Sequence, residues 1–399
     1  MSSIAIYTLT SELHDPEAVA ATTHELLDDL AIPCELRGED YSDFGTHTLD
    51  LIYVCTGGTE GLFLRLLPCL LAKSRRPVRL LTSGKSNSLA ASLEILTYLR
   101  QHGLQGEVLH GQPSFIARRI SLLTRVEDVI GRLRGLRLGV IGKPSDWLIA
   151  SNVDDDLVRR RMGIELVHID ISEVNEGLTP APAGESKDES PEVGQALRIY
   201  HSLRDIVSRH RLHGFTLRCF DLLTTLHTTG CLALAKLNAE GIVAGCEGDV
   251  PALLSMVVAN ALTGLSGFQA NPARIDPESG ELLFAHCTIP LNMVERYEFD
   301  THFESGIGIG IRGFMTPGPV TLFKLAGDLQ RHFIAEGQLA RCQAAPDLCR
   351  TQMVIQLSQP AQASYFLTNP IGNHHIIIPG HHRQLLEAIF TDLGTTAAC

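Results

Sequence analysis

Leu49–Ala72 reads LDLIYVCTGGTEGLFLRLLPCLLA. Leu49–Thr56 is a nearly unbroken apolar run with β-branched and aromatic members, the pattern of a strand buried on both faces. Gly57-Gly58-Thr59-Glu60-Gly61 interrupts it, and Leu62–Ala72 resumes at helical spacing. Pro68 inside that helix is expected to kink or shorten it. The same alternation continues on both sides. Ser3–Thr8 and Pro77–Ser83 read as strands, Pro16–Leu30 and Ser86–His102 as helices. A βαβα rhythm of this kind implies a parallel sheet covered by helices on both faces.

A second αβ series begins near residue 136. Leu136–Ile141, Ile164–Ile171 and Phe215–Cys219 read as strands, and Asp154–Met162, Val193–Arg211 and Cys231–Glu240 as helices. Thr179–Glu192, TPAPAGESKDESPE, is the strongest loop candidate. Beyond about residue 265 helical periodicity fades. Leu282–Cys287, Gly306–Gly313, Val320–Leu325, Met353–Leu357 and His375–Pro379 read as short strands, with one helix at Arg383–Leu393. The expected fold is α/β: two Rossmann-like α/β domains, 1–135 and 136–245, then a C-terminal domain, 246–399, with a mostly β barrel.

The 399 residues are 44% hydrophobic and 20% charged, a globular balance that excludes disordered, collagenous and coiled-coil chains. A net charge of -12 without a basic block argues against binding nucleic acid or an anionic membrane through overall charge. No apolar run reaches the roughly 20 residues of a membrane helix. The N-terminal MSSIAIYTLTSELHD lacks a basic region and an apolar secretory core, so a cytoplasmic location is expected. The ten cysteines form no CxxC pair, and most read as reduced, buried small side chains.

Candidate chemistry concentrates in a few segments. Gly58 and Thr59, at a strand end that opens a helix, and Asn87, in the Thr82–Ser88 run, stand where open α/β sheets bind ligands; each is equally at home in a tight βα turn. Trp147, the only tryptophan, lies on the Lys143–Trp147 loop, to stack on a sugar face or to anchor the loop. Glu247 and Asp249 are two carboxylates in an apolar setting, where burial demands a cation, a partner or a cap. Asp249 also suits the N-cap of a helix with Pro251 in its first turn. In Asn373-His374-His375 the two imidazoles of a strand point to opposite faces, so only one joins a given site; His286 is a further candidate.

Taken together, Thr228–Ala235, Cys246–Pro251, Leu262-Thr263-Gly264 and Gly372–His375 resemble the L-fucose isomerase and L-arabinose isomerase superfamily, and in particular its shorter fucose isomerase-like branch. Pro144–Trp147 and Pro317–Thr321 follow the same order. The resemblance implies two α/β domains and a barrel-bearing C-terminal domain, a homo-trimer or homo-hexamer with inter-subunit sites, and metal-dependent aldose–ketose isomerisation, usually with manganese. It implies Glu247 and His374 as metal ligands, with His286 near a further histidine position assigned to substrate. Where L-fucose isomerase carries an Asp 24 residues after its Glu, this chain has Asn271, whose amide oxygen binds a hard cation but takes no proton.

The implied chemistry is proton transfer between C2 and C1 through a cis-enediol, with Glu247 as ligand and base and Asp249 beside it. Two alternatives remain open: a non-catalytic sugar-binding or regulatory protein on the same scaffold, and a related enediolate epimerase or lyase. The weak basic content of the candidate loops favours an unphosphorylated sugar.

Overall fold

A computed structural model describes residues 3–179 and 190–398. Most of the expected Thr179–Glu192 loop, residues 180–189, lies outside the described residues. The chain divides into two compact units, Met1–Asp128 and Val129–Cys399.

The first unit holds five parallel strands: β1 (Ile4–Leu9), β2 (Glu35–Gly38), β3 (Leu49–Val54), β4 (Val78–Leu81) and β5 (Gly106–Leu109), in the order β2-β1-β3-β4-β5. All six residues of β3 are buried because both faces are covered. Ala5, Tyr7, Ile52, Val54 and Phe63 pack on one face, and Ile6, Leu51, Tyr53 and Ile116 on the other. The helix after β3 runs unbroken as Glu60–Lys73, so Pro68 neither shortens nor ends it. The carbonyl that loses its partner belongs to Leu64, whose side chain is exposed, so water is at hand to take the lost bond.

The second unit contains a four-stranded parallel sheet: β6 (Arg137–Ile141), β7 (Glu165–Ile169), β8 (Gly214–Leu217) and β9 (Val243–Cys246), in the order β7-β6-β8-β9. It is followed by the helix Val250–Thr263, of which eleven residues are buried. Then come β10 (Phe268–Ile275), β11 (Glu281–His286), β12 (Arg296–Asp300), β13 (Gly310–Phe314), β14 (Gly318–Leu325), β15 (Arg331–Gln343), β16 (Thr351–Leu357), β17 (His375–Pro379) and β18 (Thr396–Ala397). Six of these close an antiparallel barrel, β14-β17-β10-β11-β16-β15, through the β14–β15 pairing. Phe268, Phe284, Leu322, Phe333, Ile355 and Ile377 fill its core. The protein is thus a mixed α/β chain with parallel sheets and a closed six-stranded barrel.

Two details depart from expectation. The run expected as a strand over Gly306–Gly313 is a loop up to residue 309, and β13 pairs with β12 in a separate hairpin, outside the barrel. Gly306 and Gly308 take φ of +68° and +63°, which extended strands do not allow. The thirteen-residue β15 is not among the expected strands: four successive residues, His332–Ala335, are buried rather than every second one, and a register shift follows between Leu339 and Arg341.

Candidate metal and active site

The site is assembled at one rim of the barrel, where the β9–helix junction meets three adjacent strands. Glu247 directly follows β9, Asn271 lies on β10, His286 ends β11, and His374 immediately precedes β17. The register brings them together: Ala270 pairs with His375, and Asn271 pairs with Ala285. β10 and β11 are consecutive strands, whereas His374 comes from nearly ninety residues further along the chain.

The junction itself is sterically determined. Glu247 adopts a left-handed φ of 63°, unusual for a residue with a side chain. Gly248 follows at +70°, and a Cβ there would lie 2.6 Å from the Lys143 carbonyl oxygen. The Ser145 N–H donates to the Glu247 carbonyl at 3.0 Å. Close approach of the Lys143–Trp147 loop therefore requires glycine at 248, and it delivers Trp147. The indole Nε1–H donates to Glu247 Oε2 at 2.8 Å, while the ring meets Phe220 edge-on at 4.8 Å. Trp147 anchors the loop and still presents a half-exposed ring.

The other carboxylate oxygen, Glu247 Oε1, lies 3.5 Å from His286 Nε2 and 3.4 Å from His374 Nε2. Glu247, His286 and His374 are all buried, and their ligand-capable atoms lie within 4.8 Å of one another. Each imidazole is oriented from behind. His286 Nδ1 meets Thr288 Oγ1 at 3.0 Å, and His374 Nδ1 meets Asp249 Oδ2 at 2.8 Å. Asp249 also caps the helix Val250–Thr263, accepting the Ala252 N–H on Oδ1 at 2.9 Å. The capping role expected of Asp249 is observed, and its second carboxylate oxygen bonds His374 rather than lining the cavity. Beneath it, the fully buried Lys324 ammonium donates to the His374 carbonyl at 2.8 Å and stands 3.8 Å from Asp249 Oδ2.

Burial pushes the Glu247 carboxyl up, but the charge of His374 and the bonds from His286 and His374 outweigh it and hold it far below the usual carboxylate range. Burial pushes His374 down, while Glu247 and Asp249 together hold it up at about 9. Asp249 is likewise raised by burial and lowered by more through Lys324 and His374. The cluster is therefore anionic on the carboxylate side and well solvated by its own partners.

Two buried polar atoms at this site have no hydrogen-bond partner: His374 Nε2 and Asn271 Oδ1. Both belong to the residues that the resemblance singles out as ligand positions, and buried unpartnered ligand atoms of this kind fit a cation. The cluster adjoins a cavity of about 430 Å³ lined by Trp147, Phe220, Glu247, Asn271, Pro272, Glu304 and Asn373. Phe220 and Glu304 carry no sequence signal and reach the site through tertiary packing alone; Thr288 arrives with His286, two residues before it.

His375 turns away from the cluster, as strand alternation requires. It packs among Phe284, Phe333, Tyr365 and Phe366 and meets the Tyr365 hydroxyl at 3.1 Å. Burial and the Lys324 charge push its pKa down to about 3, so it stays neutral. Gly58, Thr59 and Asn87 lie in the first unit. Thr59 spends its hydroxyl on the Thr56 carbonyl at 3.1 Å, and Gly58 and Asn87 take φ of 74° and 57°.

No family model matches the chain. It is similar to proteins named sulfoquinovose isomerase from three bacteria. With that of Alkalicoccus urumqiensis it shares 23% identity over 262 residues, 60% of this chain and 59% of the relative. With that of Clostridium sp. (strain MSTE9) it shares 26% over 189 residues, 43% of this chain and 42% of the relative. With that of Priestia aryabhattai the identity is 22% over 262 residues, again 60% and 59%. The match thus spans between two fifths and three fifths of the length of these relatives.

Proposed function

We infer that the protein is a metal-dependent aldose–ketose isomerase of the L-fucose/L-arabinose isomerase type, acting on a small sugar. The observation that carries this reading is the buried Glu247–His286–His374 group, oriented from behind by Thr288 and Asp249 and facing the cavity beside the unpartnered Asn271 amide oxygen. The sulfoquinovose isomerase relatives support the same reaction class.

Glu247, His286, His374 and the Asn271 amide oxygen would hold the cation, which makes His286 a ligand rather than a substrate contact. Two imidazoles, a carboxylate and an amide oxygen suit a first-row divalent ion, and the resemblance implies Mn²⁺. Such an ion polarises the sugar carbonyl and stabilises the negative charge of the enediolate. Trp147 and Phe220 offer aromatic faces to the sugar, and Asn271 and Asn373 offer amides to its hydroxyls.

The decisive experiment is deuterium uptake from D₂O into a panel of aldoses and ketoses with added Mn²⁺, set against a chelator control. Chelator-sensitive uptake at C1/C2 with ketose formation establishes the isomerase. Uptake without a ketose identifies epimerase or lyase chemistry. Saturable sugar binding without uptake identifies a sugar-binding protein, the reading that Asn271 in a carboxylate position would favour.

A further inference from the structure

Under the isomerase reading, on which this role rests, Glu247 has two tasks: it holds a cation and it moves a proton between carbons. One carboxylate can do both only if its two oxygens are kept apart. In Glu247 they are. Oε1 is turned to the imidazoles, 3.5 Å from His286 Nε2 and 3.4 Å from His374 Nε2. Oε2 is turned to a residue of the cavity wall, accepting the Trp147 indole N–H at 2.8 Å. A carboxylate oxygen carries two lone pairs, so Oε2 keeps one beyond the indole bond.

The indole can direct Oε2 because its own loop is fixed by other means. Arg218 spends all three guanidinium nitrogens here. Nη1 donates to the Pro144 carbonyl at 2.6 Å, Nη2 to Asp146 Oδ2 at 2.8 Å and Nε to Asp221 Oδ1 at 2.9 Å. Gly142 makes room for that side chain, since a Cβ there would lie 2.8 Å from Arg218 Cβ. The Ser145 N–H donates to the Glu247 carbonyl at 3.0 Å, and the Leu148 N–H to the Ser145 carbonyl at 2.9 Å. Phe220 meets the indole edge-on at 4.8 Å and is itself backed by His302 at 5.7 Å. The loop thus has its anchors without the indole N–H. Trp147 is 51% exposed, so burial does not account for the ring either. A braced donor aimed at one oxygen of a strained, buried glutamate has the form of a positioning group.

We propose that Trp147 is a positioning residue, whose N–H holds Glu247 Oε2 as the proton-carrying oxygen while Oε1 stays with the imidazoles and the cation they would bind. Oε2 takes the proton from C2 of the open-chain aldose. The C–H electron pair becomes the C1=C2 bond, and the carbonyl π pair moves to O1, which takes up a proton. In the second half, O2–H gives up its proton as the C2=O bond forms. The C1=C2 pair then takes the proton from Oε2 at C1. One hydrogen has moved from C2 to C1 and one from O2 to O1, with no oxidant or reductant. The indole keeps its proton throughout.

The test compares wild type with Trp147→Phe, which keeps an aromatic ring and removes the N–H, and with Trp147→Ala, which removes both. The proteins are loaded with Mn²⁺, and L-fucose, L-arabinose and sulfoquinovose serve as probes. Trp147→Phe is expected to lower kcat and C2 exchange about 10- to 100-fold, the weight of one hydrogen bond to a charged group. KM and the Mn²⁺ Kd, measured by electron paramagnetic resonance, should stay within about threefold. Trp147→Ala should lose kcat equally and raise KM as well, because the ring that meets the sugar is gone. Trp147 is the single tryptophan of the chain, so its emission gives a readout apart from turnover. Paramagnetic Mn²⁺ should quench that emission saturably, with the Kd found by resonance. Trp147→Phe with kcat within about threefold of an active wild type overturns the proposal and leaves the isomerase reading standing. So does a loss of kcat that parallels a loss of Mn²⁺ affinity, and so does saturable Mn²⁺ binding that leaves the emission unchanged. A wild type that exchanges no proton with any probe overturns both.

Discussion

His374 Nδ1 and Asp249 Oδ2 lie 2.8 Å apart, and both residues are completely shut off from solvent. A carboxylate on Nδ1 fixes a proton there, so that a bound cation would displace only the proton on Nε2, which faces Glu247 and the cavity. Because the same carboxylate caps the helix Val250–Thr263, imidazole orientation is coupled to the start of a fully packed helix.

Asp249→Asn separates these roles. Asparagine caps a helix about as well as aspartate, so stability should change little through the cap. Loss of the charge behind His374 should weaken Mn²⁺ binding about 10- to 100-fold, as removal of such supporting groups does elsewhere. Isothermal titration of both proteins with Mn²⁺ checks this; equal affinities would dissociate Asp249 from the metal site.

Asn271→Asp supplies the charge that the resembling enzyme carries at this position. The Oδ1 of Asn271 is already buried without a partner, so a carboxylate there should tighten Mn²⁺ binding by about tenfold. The same change should lower Tm in chelator, because a second carboxylate near Glu247 then lacks a counter-charge. Unchanged affinity would show that residue 271 does not face the cation.

Lys324→Met removes a buried ammonium that neutralises Asp249 and bonds the His374 carbonyl. Breaking a buried charge pair from one side leaves the other charge uncompensated, at a cost of about 3 kcal/mol. Urea denaturation at pH 7 reads this directly. A loss below 1 kcal/mol would mean that the ammonium contributes no net stability.

His332 sits against Phe390 at 5.0 Å and bonds Thr395 Oγ1 at 2.6 Å. Burial pushes its pKa down to about 4, with Glu387 opposing in part. The folded state therefore binds fewer protons than the unfolded chain between the ordinary imidazole value and about 4. The resulting stability is fully present above about pH 6.5 and is lost progressively as pH falls to about 4, for a total of roughly 3 kcal/mol. His332→Gln should flatten that part of the stability–pH curve measured by urea denaturation. A wild-type minus variant difference that is constant from pH 7 to pH 4 would contradict it.

Much of the fold was legible because the relevant physics is local. A strand covered on both faces must be apolar throughout, and β3 is; the helix Pro16–Leu30 begins at its proline and ends as the periodicity says. The junction Cys246–Pro251 was equally legible, since carboxylates surrounded by apolar residues demand partners wherever they lie. The opposite facing of His374 and His375 followed from strand alternation alone. What the sequence did not disclose was the strand β15, whose first residues are buried in succession rather than alternately, and the membership of the site. His286 stands in the ligand-capable group because β11 ends at the rim beside β10, which in turn pairs with β17. Phe220, Glu304 and Lys324 join the site only through packing between residues scores of positions apart, whereas Thr288 stands two residues from the His286 it orients. Backbone preference and burial pattern act over a few residues and are written in the local sequence. Which side chains share a cavity is fixed by strand order and register in a closed barrel, and only the folded chain decides that.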